Sequence, residues 1–73
     1  MNTKTAIRTA LANATPGTLF RTDITVKTIY LPVDRDYDPA AVLFTIWKLG
    51  EEVLGEGIIT TSLGRHHKII LAA

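Results

Sequence analysis

The chain predicts a small α+β domain in the order helix, strand (or short helix), helix, β-hairpin. Three observations carry this. An apolar run near the N-terminus repeats with helical period; a second, more apolar run starts at Asp38-Pro39; and two β-branched runs flank a glycine-containing turn near the C-terminus. With 73 residues, 47% hydrophobic and 21% charged, residues 1–73 fit one compact domain and not a disordered tail. A chain this short hides only about 60% of the surface its unfolded form exposes. It has no cysteine, so disulfides, thiolate metal sites and cysteine nucleophiles are excluded. Good packing or self-association must supply the reinforcement.

The first helix is expected over residues 3–14. Ala6, Ile7, Ala10, Leu11 and Ala14 share one face, opposite Lys4, Arg8 and Thr9. Asn2 or Thr3 can cap its start, and Pro16-Gly17 stops it. In residues 18–33, Phe20, Ile24, Val26 and Tyr30 fall on one parity, whereas Arg21, Asp23, Thr25 and Lys27 fall on the other. Period two and β-branched content favour a strand, with a short helix around residues 23–29 as the alternative. Pro32 ends either element.

Asp38 is an N-cap with its carboxylate at the positive end of the helix dipole, and Pro39 suits the first helical position. Val42, Ile46, Leu49 and Val53 form a stripe that Leu43, Trp47 and Leu54 widen, while Phe44 adds a third direction. The expectation is a central helix covered on several sides, ending at Leu49 or at Gly55 with Gly50 as a weak point. Residues 57–62 and 67–71 then flank a turn at residues 63–66. Ile58 is expected opposite Leu71, and Ile59 opposite Ile70.

Net charge is +1, eight Lys+Arg against seven Asp+Glu, far from the balance of a chain held to nucleic acid by charge alone. No apolar run reaches the ~18 residues that span a bilayer, and residues 1–14 lack the continuous apolar segment of a signal peptide. A cytoplasmic location, without membrane association, is expected. Arg65-His66-His67-Lys68 is the one dense basic run. On a hairpin tip it would reach phosphate oxygens or a groove; the plainer alternative is a solvated turn.

The pattern Asp38-Pro39-Ala40-Ala41-Val42-(x3)-Ile46-Trp47-Lys48-Leu49-Gly50-Glu51-Glu52, followed by Gly57-Ile58-Ile59 and the basic hairpin, resembles the second half of a winged helix-turn-helix DNA-binding domain. The resemblance implies a winged-helix-like fold. The helix starting at Asp38 would be the recognition helix, the hairpin the wing, residues 3–14 the first helix, and residues 19–21 a short strand pairing with the wing. It further implies a regulatory protein that binds double-stranded DNA, as a homodimer. The candidate DNA-binding residues are Arg65, His66, His67 and Lys68 on the wing, Lys48 and Thr45 on the recognition helix, and Lys4 and Arg8 on the first helix. Neither Thr45 nor Lys48 makes the bidentate base contact of Arg, Asn or Gln, so binding would lean on phosphates and weaken with salt.

Other chemistry is weaker. Adjacent His66 and His67 would face opposite ways on a strand and could not chelate one ion. Asp34, Asp36 and Asp38 alternate like a calcium loop but lack its glycine and distal glutamate. No nucleophile–base spacing appears, so neither enzyme activity nor a cofactor is expected. The alternative to DNA binding is a protein–protein interaction module of αβαββ order, with a true strand before the second helix, a three-stranded sheet with helices on one face, and a sheet edge or apolar patch meeting a protein partner or a second copy.

Overall fold

A computed structural model describes residues 3–18 and 24–73. In chain order the elements are α1 (Thr3–Ala12), β1 (Thr15–Thr18), β2 (Thr25–Pro32), α2 (Pro39–Lys48), β3 (Val53–Thr61) and β4 (Gly64–Ala72). The sheet has four strands and not the expected three, because residues 15–18, read as the stop of the first helix, pair along β2; the order is β1-β2-β4-β3, every neighbouring pair antiparallel. This is an α+β domain.

α1 stops at Ala12, two residues before the expected end. The Asn13 side chain turns back, its Nδ2 donating to Thr9 O at 2.9 Å, before Pro16 starts the extended chain. The expected cap at Asn2 lies outside the described residues. α2 begins as its sequence dictates. Asp38 Oδ1 accepts from Ala40 N at 3.1 Å and Ala41 N at 3.2 Å, and Pro39 sits at the first turn. It closes on Gly50, whose φ of 84° is left-handed. There Gly50 N donates to Trp47 O and Glu51 N to Ile46 O, the paired reverse bonds of a glycine-terminated helix. The end therefore falls at Lys48, with Leu49 as C-cap, and Val53 and Leu54 belong to β3.

Residues 25–32 form a strand, and the short-helix alternative for residues 23–29 is overturned. β2 lies between β1 and β4, where ladder hydrogen bonds on both sides outweigh its helical offsets. Its buried face differs from the expected one. Ile29 and Leu31 enter the core, while Ile24 and Tyr30 are exposed and Val26 is buried on the other parity; Phe20 lies outside the described residues. The reason is β4. It places His67, Ile69 and Leu71 on one face at 0% exposure, and antiparallel register sets Ile29 opposite Ile69 and Leu31 opposite His67.

Both helices cover this odd-numbered face. Ile7 from α1 and Val42 and Ile46 from α2 pack with Ile29, Leu31, Ile69 and Leu71. α2 is thus a lid on one side of a sheet and not a helix wrapped on several sides. Period 3.6 carries Ala40, Phe44, Trp47 and Lys48 to the arc opposite Ile46, and all four are exposed.

The hairpin register is shifted from expectation. Thr61 pairs with Gly64 across a two-residue turn, Ser62-Leu63, in which Thr61 Oγ1 accepts from Leu63 N at 3.1 Å. Gly64 takes φ 111°, so glycine stands where the turn needs it. Ile58 consequently faces His67 and not Leu71, and Ile59 faces His66 and not Ile70. An irregularity between Val53, which pairs with Leu71, and Gly55, which pairs with Ile70, leaves Leu54 as an extra residue.

Ile46, fully buried between the layers, is the most sensitive apolar position. Ile46→Ala is expected to cost about 2–5 kcal/mol, read as a lower urea midpoint at unchanged slope. A loss below about 1 kcal/mol would contradict the packing.

Candidate functional site

The basic run does not crown the hairpin. Arg65 to Lys68 lie within β4, and strand alternation divides them between faces. Arg65 is exposed opposite Thr60; His66, opposite Pro32 and Ile59, and Lys68, opposite Tyr30 and Gly57, lie on the face away from the helices. The tip itself is Leu63, which is 87% exposed. The expected projecting cluster of four side chains is therefore corrected to two half-buried residues on one face, one exposed arginine on the other, and one buried histidine.

His67 is that histidine, at 0% exposure. Its Nε2 lies 2.7 Å from Glu56 Oε2, and its Nδ1 lies 2.6 Å from Tyr37 Oη. A carboxylate only accepts, so Nε2 donates to Glu56; in the neutral ring Nδ1 then accepts from the Tyr37 hydroxyl. The Tyr37 ring meets the imidazole edge-on, at 89° and 5.6 Å between centroids. Burial, and secondarily the Glu56 carboxylate, push the Tyr37 pKa up from 10.0 to about 12. Each member comes from a different element: the connector before α2, β3 and β4. The network satisfies its own polar atoms, so this His–Tyr–Glu cluster reads as an architectural tie. Nothing in the sequence spacing links residues 37, 56 and 67. The hairpin register brings Glu56 to His67, and the connector before α2 brings Tyr37.

The helix-side residues do converge. Lys4, Phe44, Thr45, Lys48 and Leu49 line a shallow groove of about 360 Å³ between α1 and α2. Arg8 follows one turn after Lys4 on the exposed side of α1. Thr45 is occupied locally, since its Oγ1 donates to Ala41 O at 2.9 Å. Beside the groove stand the exposed aromatics. Phe44 is 58% and Trp47 68% exposed, their ring centroids 5.8 Å apart, and Lys48 Nζ sits 5.5 Å from the Phe44 centroid. Neither helix contains a carboxylate. Trp47 was expected in the core. The signal against that was its own position, off the Val42–Ile46–Leu49 stripe and adjacent in angle to Phe44 and Lys48.

The connector holds a second cavity, of about 530 Å³, with Asp34, Asp36, Asp38 and Tyr37 on its wall. Two of the aspartates are engaged in backbone geometry. Asp38 caps α2, and Asp34 Oδ1 accepts from Asp36 N at 3.0 Å. Among the described residues, no group of three or more His, Asp or Glu side chains is arranged to hold a metal ion. Among the described residues, no helix is long and apolar enough to cross a membrane. The expected strand at residues 19–21 lies outside the described residues; β1, at Thr15–Thr18, pairs with β2 and not with the hairpin.

No protein-family model, curated protein or solved structure matches the chain.

Two outcomes follow from this geometry. Because the raised Tyr37 pKa favours its neutral form in the fold, its stabilisation is complete below pH 10 and is lost as pH rises toward about 12. Urea midpoints should fall more steeply over that interval in wild type than in Tyr37→Phe, and parallel profiles would exclude the coupling. His67→Ala should lower stability by about 2–4 kcal/mol, since it opens a cavity and strands two hydrogen-bonding groups. A midpoint within experimental scatter of wild type would show that His67 is not buried.

Proposed function

We propose that the protein is a non-enzymatic interaction module that docks a partner protein through the outer face of α2. The observation that carries this reading is the pair Phe44 and Trp47. A chain with so small a core leaves two large aromatic side chains more than half exposed, side by side on a rigid helix. Aromatic residues at helical spacing are the usual anchors of a helix-in-groove contact. Lys4 and Lys48 share the groove with Phe44, and neither helix carries a carboxylate, so the fitting partner offers an apolar groove rimmed by acidic side chains. The strand at residues 25–32 and the placement of both helices on one sheet face also suit this architecture.

The test compares proteins captured by wild type and by Phe44→Ala/Trp47→Ala, with circular dichroism confirming that both fold. A specific partner should be lost with the aromatics, its affinity falling by roughly 30-fold or more, the effect of about 2 kcal/mol at a hot spot. A partner retained equally by both forms would contradict the assignment.

Double-stranded DNA is the second reading, favoured by one observation: Lys4, Thr45 and Lys48 line one groove, with Arg8 close by in sequence. Mobility-shift titrations on random duplex at low and moderate salt separate the two. The protein-docking reading predicts no complex at moderate salt. A complex that weakens in Lys4→Ala/Lys48→Ala, or in Arg65→Ala/Lys68→Ala, would favour DNA.

A further inference from the structure

β3 ends the sheet, and among the described residues nothing pairs with its outer side. It is nine residues long and contains no proline and no lysine. Its single charge, Glu56, is held toward β4 by the 2.7 Å bond to His67. Natural sheets blunt free edges with prolines, lysines, inward charges or short strands. The opposite edge shows that pattern: β1 is four residues long and carries Pro16, which has no amide to offer. In β3 such devices are confined to its first half, where the irregularity between Val53 and Gly55 and the inward-held Glu56 lie, and none guards the Ile58-Ile59-Thr60-Thr61 stretch, the most β-prone tetrad of the strand.

From this asymmetry we infer that β3 pairs with β3 of a second copy, in antiparallel register about Ile58, to make a two-fold dimer with one continuous eight-stranded sheet. The sequence of β3 is complementary to itself in that register. Ile58, 41% exposed on the helix side beyond the cover of α2, meets Ile58 of the second copy. Ile59 lies opposite Gly57, where no side chain competes for space, and Thr61 lies opposite Gly55. Thr60 lies opposite Glu56, so no like charges are opposed. Since β3 and the outer face of α2 are different surfaces, the dimer leaves Phe44 and Trp47 free for another protein. It also adds burial to the small core of a cysteine-free chain.

Sedimentation of the full chain across the micromolar range tests the inference. Wild type should run as a dimer, and Ile58→Lys as a monomer with an unchanged circular dichroism spectrum. Ile58→Cys, the only thiol in its chain, should form an intermolecular disulfide on mild oxidation. Directly opposed residues of antiparallel strands lie about 4.5 or 5.5 Å apart, within disulfide reach. A monomeric wild type would overturn the dimer, as would a dimer that survives Ile58→Lys. A dimer dissolved by Trp47→Ala but not by Ile58→Lys would move the self-contact to α2, and so overturn this assignment separately from the partner-binding one.

Discussion

A histidine held at zero exposure between two sheet neighbours constrains this molecule more than any other single group. An imidazole removed from water needs both nitrogens engaged, and each unmet bond would cost on the order of 1–3 kcal/mol. Tyr37 and Glu56 meet that need from opposite sides, one from the connector before α2 and one from β3. The connector is thereby pinned against β4, which sets where Asp38 starts the second helix. β3 is held so that Ile58 faces His67 and not Leu71. Lys27–Glu51, an ion pair at 2.6 Å, makes a similar tie at the other end of α2. It is partly solvated and correspondingly weaker.

Much of the layout was legible from local chemistry. Asp38-Pro39 announces the start of α2, Pro16-Gly17 the end of α1 and Gly64 the turn, because each acts within a few residues of itself. β-branched alternation favours a strand within residues 18–33, though it leaves a short helix over residues 23–29 open and points to the parity of Ile24 and Tyr30, both of which are exposed. What local pattern could not give was register. On β2, Tyr30 and Ile24 look as apolar as Ile29 and Leu31. Pairing with β4 alone decides which parity faces the helices, and β4 is thirty to forty residues distant. The two-residue turn then shifts every pair of the hairpin, draws His67 inward and divides the basic run.

The same physics accounts for the candidate surface. A ten-residue helix resting on a sheet buries one stripe, and Val42 and Ile46 occupy it. Apolar residues beyond that stripe have nowhere to go but outward, so a helix rich enough to suggest a central element instead presents an aromatic pair beside Lys48, with Lys4 in the adjoining groove. The resemblance to a winged helix rested on the succession of helix, glycine and hairpin. In the structure that succession is a helix laid across the inner strands of an antiparallel sheet, preceded by a strand where a second helix would stand. Phe44 and Trp47 are thus the exposed chemistry of α2, whereas the basic run of β4 is divided between the two sheet faces, with His67 alone fully buried.

Cross-strand NMR contacts in the hairpin test the central claim, the β3–β4 register, most directly. The account predicts backbone contacts joining Ile58 to His67 and Thr60 to Arg65, together with slow amide exchange along residues 66–71. Contacts joining Ile58 to Leu71, with rapid exchange at residues 65–68, would contradict it. That result would return the basic residues to a free loop.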